Sequence, residues 1–411
     1  MSSELARRIA FTLGALLIFR IGAYIPLPGT NIIAWSHAAG MDTPSLFGSF
    51  TLPAGTPARH FAIFGLGLIP YITAAIILQV VCIGSARLRA LNEAGERGRA
   101  KLVTYTLCLT ILMAAFQAYG IAEGLERLTG LVPQPGALFK AMTVLSLTAG
   151  TLVLVWLCNQ ITLRGVGNGL VLVLAISLLI DLPTPVAATF ERARMGMFTG
   201  NMVLLTAVLA LLVTIAIVLF EGARRVIAVD YPQQTIGGTT LESRTANLML
   251  KVNNAGLIPT VLAGWFIVIL GLGVIFGIGP ESPLLRELGH GHSLFMVLFA
   301  ILVVLLTLFY TAYLIDPDKM SAQLKTFGGV VRGVAPGEAT ADYIDSVVSR
   351  VTMLGAVYLV LIFIVPEILI VYLGLPLYLG GASFLVVICA ALDFGSQLKQ
   401  EFTFKAGGVS P

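Results

Sequence analysis

Ten apolar runs, each long enough to cross a lipid bilayer, constrain this chain more than any other feature of its sequence. A membrane-spanning helix needs about 20 apolar residues, because the hydrocarbon core is about 30 Å thick. The runs lie near residues 9–28, 61–84, 102–122, 140–161, 166–186, 202–220, 255–279, 293–315, 352–373 and 376–398. They are continuous and do not alternate in polarity, so they predict helices and exclude a β-barrel. The sequence therefore predicts an all-α polytopic membrane protein with ten transmembrane helices.

The composition supports the same class of protein. Hydrophobic residues make up 57% of the chain and charged residues only 11%, whereas a soluble domain carries roughly 25% charged residues. The four cysteines are widely separated and lie within or at the ends of apolar runs, at Cys82, Cys108, Cys158 and Cys389. That placement is typical of small buried residues and not of disulfides or metal ligands.

The distribution of Lys and Arg predicts the orientation in the membrane. Basic residues concentrate before the first run and in the loops after the second, sixth and eighth runs. Placing these loops inside makes the cytoplasmic excess of Lys and Arg about three to one, in accordance with the positive-inside rule. An even number of spans then puts both termini in the cytoplasm. The first run leads into Pro26 and Pro28 without a small-residue cleavage motif, so the sequence predicts no cleavable signal peptide.

A short internal repeat relates the two halves of the chain. Gly67-Leu68-Ile69-Pro70 recurs as Gly256-Leu257-Ile258-Pro259, at the start of the second and the seventh runs. Five spans separate the copies, and an odd separation makes them run in opposite directions through the membrane. This is typical of inverted repeats around a central pathway, and it predicts an N-terminal half, 1–190, and a C-terminal half, 191–411. Ile72 and Val261 are then equivalent positions.

Two long loops on the cytoplasmic side are predicted to project from the membrane as docking surfaces. The loop 221–253 contains a β-branched run and a Gly-Gly turn, which predict a β-hairpin. The loop 316–350 is of similar length. Long connections in compact proteins are usually functional.

The chemistry of catalysis and ion coupling is nearly missing from the spans. The Gly-rich segment 165–169 lacks the Lys-Ser/Thr pair of a phosphate-binding loop, and no nucleophile–base pair lies in a span. The four histidines are external, so neither a metal site nor a cofactor is predicted. Ionisable residues inside a membrane usually mark ion pathways, and here Arg20 and Asp393 are the main examples. The pattern favours a pathway lined by aliphatic groups over a small-solute secondary transporter, which stays the alternative, or a membrane enzyme.

Six ordered motifs resemble the SecY family, the channel subunits of the general protein translocase. They are FRIGAYIPLPG at 19–29, GLGLIPYITAAIILQ at 65–79, NEAGERGRAKLVTYT at 92–106, QITLRGVGNG at 160–169, KVNNAGLIP at 251–259 and PGEATADYIDSVVSRVTMLGA at 336–356. The likeness extends from Arg8 to Gln397. It implies two inverted five-helix halves arranged as a clamshell around an hourglass pore.

The resemblance also assigns roles to residues at matching positions. The aliphatic pore ring would be Leu68, Ile72, Leu170, Leu174, Val261 and Val386. The polar cluster of a lateral gate towards lipid would be Thr73, Gln117 and Asn253. Cytoplasmic docking would use Arg224, Arg225, Arg244, Lys325, Arg332 and Arg350. A plug segment would lie at 42–60.

The implied setting is the bacterial inner (plasma) membrane. The resemblance implies SecE- and SecG-like small membrane subunits, and a SecA-like motor ATPase or a ribosome as the driving partner. The cargo would be secretory and membrane precursor proteins, which pass across the membrane or leave sideways into the lipid bilayer.

Three departures from the family pattern bear on these expectations. Pro53 and Pro57 fall in the plug region, where they disfavour a regular helix. The loop after the eighth span reads Gly333-Val334-Ala335-Pro336-Gly337, where the family usually has Arg before the proline. A neutral run, 232–240, replaces the usual basic cluster of the loop 221–253. Because RNA docking depends on Lys and Arg, the neutral run predicts weaker ribosome binding. The three departures together leave open a divergent or accessory member.

Overall fold

The computed structural model describes residues 3–31, 62–126, 130–181, 183–231, 234–236, 239–241, 244–277, 282–289, 291–373 and 381–406. The helices are α1 (Ser3–Gly22), α2 (Ile69–Gly84), α3 (Ala86–Glu93), α4 (Glu96–Glu126), α5 (Ala137–Arg164), α6 (Gly169–Asp181), α7 (Pro183–Arg194), α8 (Gly200–Gly222), α9 (Ile258–Gly277), α10 (Pro283–Glu287), α11 (Ser293–Leu314), α12 (Pro317–Thr326), α13 (Glu338–Leu373) and α14 (Gly381–Ala406). The strands are β1 (Arg224–Tyr231), β2 (Gln234–Ile236), β3 (Thr239–Leu241), β4 (Arg244–Lys251) and β5 (Val330–Val331). The plug prediction, 42–60, lies outside the described residues.

Ten of the described helices follow the order of the ten predicted spans. Five are long and apolar enough to cross a membrane, namely α4, α5, α8, α11 and α13. Shorter apolar helices lie in α2, α6, α9 and α14. The first span corresponds to α1, which ends at Gly22 before Pro26. The fifth span corresponds to α6, which is described up to Asp181, and to the start of α7 at Pro183.

The repeated tetrapeptide starts two helices with the same backbone geometry. Gly67 has φ +57° and Gly256 has φ +61°, a left-handed conformation that glycine adopts without a steric cost. The next residue begins the helical bonding, because the Ile72 amide donates to the Leu68 carbonyl at 3.0 Å and the Val261 amide to Leu257 at 3.2 Å. The helices thus begin late, at Ile69 and Ile258, since proline cannot bond to the preceding turn.

The chain is divided into two compact units. The first contains the described residues of Met1–Thr206 and Pro376–Pro411, and the second those of Ala207–Leu375. In the first unit, α14 packs against α6, and α4 packs against both α2 and α5. The two inverted halves, 1–190 and 191–411, stay a prediction about the symmetry of the sequence.

Small residues bring the helices of the first unit close together. Ala114, Ala118 and Ala122 on α4 are fully buried at four-residue spacing, which aligns them on one face. Close approach through small residues increases van der Waals contact where lipid removes the hydrophobic driving force between helices. Gly150 of α5 plays the same part towards the segment Ala62–Leu68, where a side chain at 150 would overlap the Ile63 backbone.

A small sheet in the second unit joins the two predicted cytoplasmic loops. Strands β1 and β4 pair antiparallel from Arg224↔Lys251 to Tyr231↔Arg244, which confirms the predicted hairpin in 221–253. The order of the sheet is β4-β1-β5, so the strand β5 brings the loop 316–350 into the same sheet. On the buried side of this sheet, Val229 and Val331 belong to the same hydrophobic cluster as Ile344 of α13. The two loops therefore form one folded surface, which the sequence did not predict.

Candidate functional site

Four of the six predicted ring residues meet in one hydrophobic cluster of the first unit. Leu68 of the 62–68 segment is buried in the core of this cluster, and Ile72, Leu170 and Leu174 pack against it. The shared core includes Phe64 and Leu154, among others. The first turns of α2 and α6 therefore present aliphatic side chains to one common region.

The exposure of these four residues differs in a way that matters for a lining role. Leu68 is only 2% exposed, so its side chain belongs to the packed core. Ile72, Leu170 and Leu174 are half-buried. A residue that lines a pathway needs a free face as well as a packed one, and these three residues satisfy that condition.

Two hydrogen bonds from backbone amides to side chains hold the start of α6 in place. The Gly169 amide donates to Thr162 Oγ1 at 2.9 Å, and the Leu170 amide donates to Asn168 Oδ1 at 3.1 Å. These bonds satisfy donors that a helix start leaves without partners. Residues of the motif QITLRGVGNG thus hold the first turn of α6, which carries Leu170 and Leu174.

The remaining two ring residues lie on other helices. Val386 is 6% exposed on α14, the helix that packs against α6 in the first unit. Val261 is half-buried on the first turn of α9, in the second unit. The structure therefore places five predicted ring residues in the first unit and one in the second.

The three predicted gate residues lie on separate elements. Thr73, which is buried, and Gln117, which is half-buried, belong to α2 and α4 of the first unit. These two helices pack against each other. Asn253 is 6% exposed and lies in the second unit, between β4 and α9.

The side-chain amide of Asn253 is hydrogen-bonded through both its nitrogen and its oxygen. One partner is Glu221, which was not among the residues predicted from the sequence. Asn253 Nδ2 donates to Glu221 Oε1 at 2.8 Å, and Asn253 Oδ1 accepts from the Gly256 amide at 2.9 Å. Glu221 is the only charged residue of α8. A lone carboxylate at the end of an otherwise apolar helix is a signal that the sequence did contain.

The predicted docking residues fall around the small sheet and beside it. Arg224, Arg225, Lys325 and Arg350 are exposed. Arg244 begins β4, opposite Tyr231. Arg332 follows β5 and forms a bidentate pair with Asp230, through Nε to Oδ2 at 3.0 Å and Nη2 to Oδ1 at 3.1 Å. The charge of Arg332 is therefore partly neutralised by Asp230.

The Asp230–Arg332 pair ties one loop to the other. Thr245 of β4 donates to the same Asp230 carboxylate at 2.9 Å, so one side chain contacts a residue from β4 and one that follows β5. The Arg332 guanidinium and the Thr245 hydroxyl hold the pKa of Asp230 below its ordinary value. Both charged side chains remain accessible to solvent. The pair therefore contributes more to the relative position of the two loops than to the free energy of unfolding.

Replacing Asp230 with Asn is expected to loosen β5 without unfolding the helices. The amide of Arg332, which donates to the Ala228 carbonyl at 3.3 Å, should exchange its hydrogen severalfold faster. Asp318→Asn in α12 is the matched control, because it removes one carboxylate charge from the loop 316–350, to which β5 belongs. Hydrogen exchange followed by mass spectrometry measures both variants; equal exchange rates in the two would contradict this role of Asp230.

The same pair should make the protection of β5 depend on pH. Because the folded-state pKa of Asp230 is lowered, the stabilising contact is fully present at neutral pH and is lost as the pH falls through that lowered pKa. The Asp230→Asn variant should lack this acid-dependent step. A step of the same size in the variant would assign the pH dependence to another group.

One predicted intramembrane charge is paired locally. Arg20 of α1 donates to the hydroxyl of Tyr24 and lies over the Tyr24 ring, 4.5 Å from its centre. Within the described part of the chain, no three His, Cys, Asp or Glu side chains gather closely enough to hold a metal ion.

The chain is similar to known proteins over nearly its whole length. The family model of SecY matches residues 62–395. The protein translocase subunit SecY of Escherichia coli K12 is 36% identical over 404 residues, which cover 96% of this chain and 91% of that protein. The SecY subunit of Rickettsia typhi is 34% identical, and the match covers 97% of this chain and 94% of that protein.

Solved structures show that the fold is shared more widely than the sequence. A protein-conducting channel matches with a TM-score of 0.68 at 14% identity, covering all of this chain and 96% of that one. Sec61 in the canine ribosome–channel complex matches with a TM-score of 0.63, also at 14% identity. With its family motifs, its helix order and its near-complete match to curated relatives, this chain belongs to the SecY family.

Proposed function

We propose that this chain forms the path by which unfolded secretory polypeptides cross the bacterial plasma membrane, and that it releases transmembrane segments sideways into lipid. The observation that carries the proposal is the aliphatic cluster in which Ile72, Leu170 and Leu174 meet. As a member of the SecY family, the chain is a channel subunit and not an enzyme. The alternative of a small-solute transporter is not favoured.

The proposed constriction works through the chemistry of aliphatic side chains. Leu, Ile and Val offer water no hydrogen bonds, so a narrow ring of them excludes water and ions when no polypeptide is present. The same side chains change rotamer and surround a passing chain without binding one sequence tightly. The ring proposed here consists of Ile72, Leu170, Leu174 and Val261, which are half-buried, together with Leu68 and Val386, which are buried and would become accessible when a polypeptide opens the ring.

The proposed lateral gate is a balance between polar contacts and the hydrophobicity of the signal. A Leu-like residue gains about 0.3–0.6 kcal/mol on entering lipid, so ten of them supply roughly 3–6 kcal/mol. Conformational states of a protein commonly differ by a few kcal/mol. Contacts of Thr73, Gln117 and Asn253 would oppose opening by a similar order, so a sufficiently apolar signal would open the gate.

Partners are proposed from the folded cytoplasmic surface. The exposed Arg224, Arg225, Lys325 and Arg350 lie in the sheet β4-β1-β5 or on the helices of the same two loops, and their positive charge suits a SecA-like motor or ribosomal RNA. Solved relatives include ribosome-bound channels, which supports docking of this kind. SecE- and SecG-like subunits complete the proposed assembly.

The orientation is proposed from the basic loops alone. The chain is a multi-pass membrane protein, and the positive-inside rule puts both termini and the loops 221–253 and 316–350 in the cytoplasm of a bacterium. The proposed architecture is two inverted five-helix halves, 1–190 and 191–411.

A cysteine at the proposed constriction tests the function. The four native cysteines are first replaced with alanine, and Ile72→Cys is introduced into the complete translocase. A stalled secretory precursor with one cysteine in its mature region should form a disulfide with Cys at 72. Ile77→Cys is the matched control, because it lies on the same helix about 140° around the axis and is 37% exposed. Crosslinking at 77 and not at 72 would overturn the proposal.

A further inference from the structure

We propose that Glu221 is the positioning residue of the gate: its carboxylate ties the start of α9 to the end of α8 through Asn253 and so sets how hydrophobic a signal must be. This inference rests on the proposed function, because it names what regulates the gate. None of the six family motifs contains Glu221.

The Glu221 carboxylate gathers two polar side chains from different elements. Its Oε1 accepts from Asn253 Nδ2 at 2.8 Å and from the Tyr358 hydroxyl of α13 at 3.3 Å. The bond from Asn253 has the short length of a charge-assisted hydrogen bond. Such bonds are about twice as strong as hydrogen bonds between neutral groups. Glu221 is half-buried and Asn253 is 6% exposed, so water competes little for the Asn253 amide.

Close packing fixes the three elements around this carboxylate. The Val252 amide donates to the Ala223 carbonyl at 3.2 Å, which joins the end of β4 to the turn after α8. On α13, a side chain at Gly355 would lie 2.5 Å from the Val252 carbonyl oxygen, so only glycine admits this approach. The Phe220 ring stacks on the Tyr358 ring with centres 4.7 Å apart. The geometry of Glu221 and Asn253 is therefore set from both sides.

The contact continues from Asn253 into the helix that the gate would move. Asn253 Oδ1 accepts from the Gly256 amide at 2.9 Å, and Gly256 is the left-handed residue that directs the chain into α9. A continuous path thus runs from the α8 carboxylate through one side-chain amide to the first turn of α9. Movement of α9 away from α8 requires breaking a bond of this path. Removing the carboxylate should therefore free α9, and less hydrophobic signals should suffice.

A purely structural role would leave a different signature from a positioning role. If Glu221 only stabilised the fold, its loss would lower the transport of all precursors by the same factor. If it holds the gate helix, its loss changes the ratio between weak and strong signals. The ratio is independent of the amount of channel in the membrane.

The experiment measures that ratio in membrane vesicles that contain the complete translocase. A series of precursors differs only in the number of leucines in the signal. In Glu221→Ala, transport of the weakest signal relative to the strongest should rise about tenfold, the change that loss of one charged hydrogen bond produces. Glu221→Gln keeps an acceptor oxygen and should shift the ratio less. Glu191→Gln on α7 is the charge-matched control, with no bond to Asn253, and should not shift it.

A second arm tests whether Glu221 acts through Asn253. The ratio in the double variant Glu221→Ala/Asn253→Leu should equal that of Asn253→Leu alone, since both changes break the same path. Additive effects, or a ratio unchanged in Glu221→Ala, would overturn the inference. If Glu221→Ala fails to accumulate, the transport ratio is measured in Glu221→Gln and in Tyr358→Phe instead. A ratio that is unchanged in both variants would overturn the inference.

The outcome is distinguishable from failure of the proposed function. Crosslinking of a strong-signal precursor to Ile72→Cys reports on the pathway and does not depend on Glu221. If that crosslink forms while the ratio stays unchanged, only the role of Glu221 is wrong. If the crosslink is absent with the native glutamate in place, the pathway itself is wrong.

Discussion

Replacing Ile72 and Leu174 together with serine is expected to make the empty channel leak small ions. Each hydroxyl offers water a hydrogen bond worth about 0.5–1.5 kcal/mol net, so two favour the wet state by about 1–3 kcal/mol, roughly a fivefold to 150-fold change in its population. Both residues are half-buried and pack against the cluster from its edge. The substitution therefore leaves the core residues Phe64 and Leu154 in place.

The leak is measured as single-channel conductance in planar bilayers without precursor. Ile77→Ser is the control, since Ile77 lies on the same helix as Ile72 and is exposed on another face. Conductance equal to that of the control, in a variant that still reconstitutes, would mean that Ile72 and Leu174 do not close the path.

Replacing Gly150 with alanine is expected to destabilise the first unit strongly. A Cβ at this position would overlap the Ile63 carbonyl oxygen and lie 2.9 Å from the Ile63 carbonyl carbon. A backbone group cannot rotate away as a side chain does, so α5 must shift from the segment that carries Leu68. Overpacking of this kind costs about 1–3 kcal/mol. At about 2–4 °C per kcal/mol for a unit of this size, the unfolding temperature should fall by roughly 2–12 °C.

Gly124→Ala is the matched control for this substitution. Gly124 lies in α4, and a Cβ there would meet no atom within 4 Å. The control should be neutral or more stable by up to about 1 kcal/mol, because alanine favours the helix. Thermal unfolding of both variants in detergent, followed by fluorescence, makes the comparison. Equal unfolding temperatures would show that α5 and the segment around Ile63 do not pack as closely as described.

Local backbone chemistry made parts of the fold predictable. The Gly-Leu-Ile-Pro copies were found at the start of the second and seventh runs, and each begins a helix there, with φ values of +57° and +61° at the two glycines. The hairpin of the loop 221–253 was likewise visible in its β-branched strands and Gly-Gly turn. These features depend on a few adjacent residues, which is why one sequence suffices to find them.

The parts of the fold that depend on contacts between distant segments could not be predicted from the sequence. The strand β5 has only two residues, and its place beside β1 depends on Asp230 and Arg332, which are 102 positions apart. Glu221 was overlooked because its partners, Asn253 and Tyr358, lie 32 and 137 positions away. The cluster of Ile72, Leu170 and Leu174 was expected through family resemblance and not through residue spacing. Contacts between distant segments leave no periodic signal in the chain.

The central claim is that one passing polypeptide meets aliphatic residues contributed by several helices at a single constriction. The most direct measurement extends the crosslinking assay to single cysteines at Leu170, Leu174, Val261 and Val386, against one fixed cysteine of the same stalled precursor. We predict that all four positions form a disulfide with that residue and that Ile77→Cys does not. Crosslinks confined to α6, with none at Val261 or Val386, would contradict a shared ring.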